Sequence, residues 1–69
     1  MNATEWIAAY ADALGVDGPT PEEFEALLEL AGVAAHSSER VAAPVSCWVA
    51  ARAGLSPAQA LAAAREVGE

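Results

Sequence analysis

Two tetrapeptides constrain this chain more than any other feature: Thr20-Pro21-Glu22-Glu23 and Ser56-Pro57-Ala58-Gln59. Each sets a hydroxyl residue before a proline, with a glutamate or glutamine three positions after the hydroxyl. The hydroxyl oxygen can accept from an amide that a helix leaves unpaired in its first turn, and the acidic or amide side chain can accept from the cap residue's own N–H. Proline loses no hydrogen bond at the first helical position, and its fixed φ already suits a helix. Asn2 and Glu5 repeat the spacing nearer the start. Gly15-Val16 and Gly54-Leu55 suit left-handed helix stops with a hydrophobic contact behind them. Starts and stops of this kind leave room for helices and little else.

The apolar spacing between those signals agrees. Trp6, Ile7, Tyr10, Ala13 and Leu14 recur at helical intervals. Phe24, Leu27, Leu28, Ala31 and Ala34/Ala35 share one face of a second segment, with Glu22, Glu25 and Glu29 on the other. Pro44 fits the first turn of a third helix that turns Val45, Trp48 and Val49 inward. A fourth has Leu61 as its large interior anchor, with Ala58, Ala62 and Val67 beside it. Nothing alternates with period two, so no strand is predicted. The expected fold is all-α, a compact array of four short helices over about 3–14, 21–36, 44–53 and 57–67, forming a single helical domain of residues 1–69.

The core of such a domain is thin. A chain of 69 residues buries only about 60% of its unfolded surface, and nineteen of these residues are alanines that allow close helix approach but fill little space. Trp6 and Trp48 are expected in the core, and Cys47 as a small buried hydrophobe. The thin filling leaves room for a protein partner or for a second copy in a homodimer.

Charge and composition exclude several functions. Residues 1–35 hold seven carboxylates and no lysine or arginine, whereas residues 36–69 balance Glu39, Glu66 and Glu69 against Arg40, Arg52 and Arg65. A chain with a net charge of −7 repels phosphate backbones, so no nucleic-acid partner is expected. The single cysteine rules out an intrachain disulfide and a cysteine-based zinc site. No basic start precedes a long apolar run, and alanine-diluted helices do not span a bilayer. A cytoplasmic location and no membrane association are the expectations.

The remaining chemistry gathers in Ala35-His36-Ser37-Ser38-Glu39-Arg40-Val41-Ala42-Ala43-Pro44, which holds the sole histidine and the first positive charge. Were His36 still helical, Glu39 would lie within side-chain reach one turn on. A closed metal site needs further strong ligands that the chain lacks, so neither a metal nor a cofactor is expected. No nucleophile–base arrangement with a supporting scaffold emerges, and no catalytic residue is assigned. His36, Glu39, Arg40 and Pro44 are the candidate binding residues. Two simpler roles stand beside that one: His36 as a helix-terminal residue favoured by the dipole when charged, and Arg40 as an ion-pair partner of Glu39 or of helix two.

The runs Leu27-Leu28-Glu29-Leu30-Ala31, Val33-Ala34-Ala35-His36 and Glu39-Arg40-Val41-Ala42-Ala43-Pro44 resemble a family of short actinobacterial helical domains of unknown function. The family's pattern is similar to L-L-x-L-A-x-x-x-A-H-x-x-E-R-x-A-A-P, with a tryptophan near the N-terminus and a glycine after the third helix. Its members occur alone or behind a nucleotidyltransferase of the molybdenum-cofactor guanylyltransferase type. The resemblance implies a non-catalytic accessory or protein-interaction module in a molybdenum-cofactor setting, with such a nucleotidyltransferase as partner. The alternative is a small-molecule domain that binds a nucleotide or pterin through His36, Glu39 and Arg40.

Overall fold

Each of the three expected capping boxes is made in full. The computed structural model describes residues 1–68, so Glu69, the last residue of the expected domain, lies outside the described residues. Helix α1 spans Ala3–Leu14, α2 Pro21–Ser37, α3 Ala42–Arg52 and α4 Pro57–Val67. The Asn2, Thr20 and Ser56 side chains accept from the amides of Glu5, Glu23 and Gln59, whose own side chains accept from the cap amides in return. At the ends of α1 and α3, Gly15 and Gly54 take φ of 72° and 75°. These left-handed turns let Val16 and Leu55 donate back to the carbonyls of Ala11 and Ala50.

Helix α3 differs most from expectation. It begins two residues earlier than predicted, at Ala42, because the Ala42 and Ala43 amides find acceptors in the Glu39 and Arg40 carbonyls at 3.0 and 3.1 Å. Backbone turn geometry replaces the side-chain cap that Val41 cannot provide. Helix α2 runs one residue past its expected end, to Ser37.

The architecture centres on α2, which packs along both α3 and α4, while α1 makes no packing of that extent with any helix. Leu30 of α2 (3% exposed) and Ala60 of α4 (4%) are the most buried residues, and Ala11 of α1 is the other buried residue among those described. The molecule measures 34 × 24 × 18 Å, with a Cα radius of gyration of 12.2 Å, against roughly 11 Å expected for a chain of this length.

Several expected core residues stand outside. Trp6 is 52% exposed and Trp48 62%, Val45 and Val49 are exposed as well, and Val67 at 92% is almost bare. The reason is residue size. Helix α3 turns Ala43, Ser46, Cys47 and Ala50 inward, half-buried, and this row of small side chains allows close approach without its larger residues. Val45 and Val49 then fall on a flank and Trp48 on the outer face. Helix α4 likewise buries Ala60, with Leu61 only half-buried and Ala58, Ala62 and Val67 exposed. Helix α1 sets Ile7 and Ala11 toward the protein and leaves Tyr10 and Leu14 in solvent.

Gly32 sits inside α2, and a Cβ added there meets no atom within 4 Å. Gly32→Ala should therefore stabilise the protein by about 1 kcal/mol, the helix-propensity difference between the two residues, raising Tm by roughly 4–8 °C. Thermal melts followed by circular dichroism check this; an unchanged or lower Tm contradicts it.

Candidate functional site

The candidate residues occupy the corner between α2 and α3. His36 lies in the last turn of α2, Glu39 and Arg40 form the turn, and Pro44 lies in the first turn of α3. All four are exposed. The corner is held by its serines rather than by its charges. Ser38 Oγ donates to the Ala34 carbonyl at 2.7 Å, and Ser37 Oγ donates to the Gly68 carbonyl, tying the end of α2 to the end of α4. Glu39 and Arg40 use their backbone carbonyls to start α3. Among the described residues neither side chain makes a hydrogen bond or ion pair, and His36 makes none with either.

His36 instead shares a shallow depression of about 280 Å³ with Glu29, Gly32, Val33, Ser37 and Arg65. There Arg65 Nη2 of α4 pairs with Glu29 Oε2 at 2.9 Å. Both side chains are about half exposed, so the pair contributes on the order of 0–1 kcal/mol. Sequence reasoning missed this pairing, although one signal was available: Glu29, Gly32 and His36 at i, i+3 and i+7 share one face of α2. The crossing of α4 that brings Arg65 to this face has no counterpart in local sequence.

Two larger surfaces surround the corner. On the outer face of α3, Val41, Pro44, Trp48 and Arg52 fall within an arc of about 80° at helical spacing. All four are exposed, and the Arg52 guanidinium lies 5.2 Å from the Trp48 ring centroid in a cation–π contact. Arg40 sits at the strip's upper end, so two of the chain's three cations border it.

On the flank between α2, α3 and α4 an open groove of about 570 Å³ is lined by Leu30, Val45, Val49, Ala53, Ala64 and Val67 among others. No ionisable side chain lines it. Its hydroxyls, Ser37, Ser38 and Ser46, all donate to main-chain carbonyls of this chain, Ser46 to Ala43 at 2.8 Å. The groove therefore offers contact to apolar side chains and no free hydroxyl proton to a polar ligand. Among the described residues no group of three or more potential metal ligands occurs, and no helix is long and apolar enough to cross a membrane.

These features define a small all-α domain whose apolar and cationic surfaces are open. The chain belongs to the family described as domain of unknown function DUF6457, whose model matches residues 1–69. A domain of unknown function is what the runs between Leu27 and Pro44 led us to expect. Neither the comparison with curated proteins nor that with solved structures found a match.

The absence of side-chain contacts at the turn has a measurable consequence. Glu39→Ala combined with Arg40→Ala should change unfolding free energy by no more than about 0.5 kcal/mol, as for surface positions generally. A loss above about 1.5 kcal/mol in denaturant titrations shows instead that these side chains pin the loop between α2 and α3.

Proposed function

We propose that this domain is a non-catalytic protein-interaction module, and that the α2–α3 corner together with the outer strip of α3 forms its contact surface. The observation that carries the reading is the strip itself. A tryptophan 62% exposed, flanked by valine, proline and two of the chain's three arginines, sets an apolar and cationic strip on a chain that carries ten carboxylates. Tryptophan and arginine are the residue types that most often dominate binding energy, because each combines a large contact area with a directional polar group. Arg40 and Arg52 favour a partner with acidic groups bordering an apolar pocket. His36 and Glu39 add polar contacts at the rim, where they tune orientation and association rate more than affinity.

A nucleotidyltransferase of the molybdenum-cofactor guanylyltransferase type is the proposed partner, and the setting is molybdenum-cofactor biosynthesis. The support is the resemblance carried by Ala35-His36, Glu39-Arg40 and Ala42-Ala43-Pro44. In this reading Pro44 and Val41 seat the apolar part of the contact, Trp48 fills a pocket, and Arg40 meets a carboxylate.

Calorimetric titration against such an enzyme from the same organism tests this. Saturable binding is expected, weakened about 30-fold by Trp48→Ala, the cost of losing a contact of about 2 kcal/mol. Arg40→Ala should reduce affinity and its dependence on salt together. Binding that ignores Trp48, Arg40 and His36 removes the proposed surface, and absence of binding removes the partner.

A further inference from the structure

The chain exposes more surface than is usual for a folded monomer of its mass. Its accessible area is 5163 Å², about 1100 Å² more than the roughly 4000 Å² usual for a folded monomer of this mass. The excess has the size of one side of an obligate homodimer interface, which buries about 2000 Å² or more in total. Two apolar features contribute to it. One is the open groove between α2, α3 and α4. The other is the uncovered part of α1.

Helix α1 carries a wider apolar arc than its own chain covers. Ile7 and Ala11 mark the edge turned toward the protein, while Trp6, Tyr10 and Leu14 span an adjoining arc of about 80° in solvent. The Trp6 and Tyr10 rings stack at 5.1 Å between centroids, giving a continuous aromatic ridge. Glu5 and Asp12, the carboxylates of α1, fall on the far side of the helix. The ridge can therefore enter an apolar site without dehydrating a charge. The groove is the matching half: it is concave, without ionisable side chains, and its serine hydroxyls are already donating to backbone.

We propose that a second copy of this chain covers the groove, the Trp6–Tyr10–Leu14 ridge of each protomer lying in the groove of the other about a two-fold axis. One chain supplies both a ridge and a groove, so two copies satisfy both features at once and leave neither open, the condition for a closed pair. Neither surface brings carboxylates into the contact, which lets a chain of net charge −7 associate with itself. The proposal uses surfaces other than the outer strip of α3 and does not rest on the partner reading above.

Sedimentation equilibrium with a charge-exchange pair tests it. Wild-type protein at about 100 µM should have twice the 7.0 kDa mass of one chain, with Kd in the low micromolar range or tighter. Trp6→Glu and Val49→Lys each alter a residue exposed in the single chain, so each should keep its helical circular dichroism. Each should weaken self-association about 100-fold or more by placing charge in an apolar contact. Mixing the two variants should restore the dimer, because one ridge–groove contact is then intact and the other pairs the introduced glutamate with the introduced lysine. Trp48→Ala should leave the dimer unchanged.

A monomeric wild type overturns the proposal, whether the groove takes a foreign partner or is closed by the chain's own α1. A dimer indifferent to both substitutions, or two folded variants that fail to complement, overturns the ridge-in-groove arrangement. A larger ring or an open-ended polymer overturns the two-fold.

Discussion

The contact of α2 with α3 and α4 through small side chains governs the rest of the molecule. Alanine, serine and cysteine let helices approach closely, but each buries only a small area. At about 25 cal/mol per Å² of apolar surface removed from water, such contacts stabilise less than a leucine-filled core of the same length. Leu30 and Ala60 are the deepest residues this packing reaches. Because the helices meet through their small residues, the large ones are displaced to flanks and outer faces. Trp48, Val45 and Val49 are exposed for that reason, and the open groove follows from it, whereas Trp6 is exposed because α1 packs little against the other helices.

The same economy explains how the corner is built. A loop held by buried charges would have to offset their desolvation. Here the turn between α2 and α3 is held instead by Ser37 and Ser38 hydroxyls and by the Glu39 and Arg40 carbonyls, which serve the backbone. The side chains of His36, Glu39 and Arg40 are thereby left in solvent, with no structural task among the described residues. Arg65 has such a task, joining α4 to α2 through Glu29. The Arg65–Glu29 pair thus spans two helices, while the charged groups of the corner face outward.

Much of the fold was legible from local sequence. The three capping boxes at Asn2, Thr20 and Ser56 and the glycine stops at Gly15 and Gly54 act over a few residues, so spacing alone identified them. The start of α3 escaped by two residues because it depends on main-chain carbonyls and carries no side-chain signal. The inward faces of α1, α3 and α4 were misjudged for a related reason. Hydropathy ranks tryptophan and valine above alanine, and it takes no account of how closely two helices approach. The candidate corner was legible as a concentration of unusual residues, whereas the strip extending it to Trp48 and Arg52 emerged only with the helix phase of α3.

Neighbours within about one helical turn are enough to place the starts of α1, α2 and α4 and the glycine stops after α1 and α3, and to show that one segment combines imidazole, carboxylate and guanidinium groups. Which faces those helices share was settled by packing across the fold. That choice rests on the fit of small side chains between elements far apart in the chain. It set Arg65 against Glu29, opened the groove beside Leu30, and left the aromatic ridge of α1 without a cover of its own.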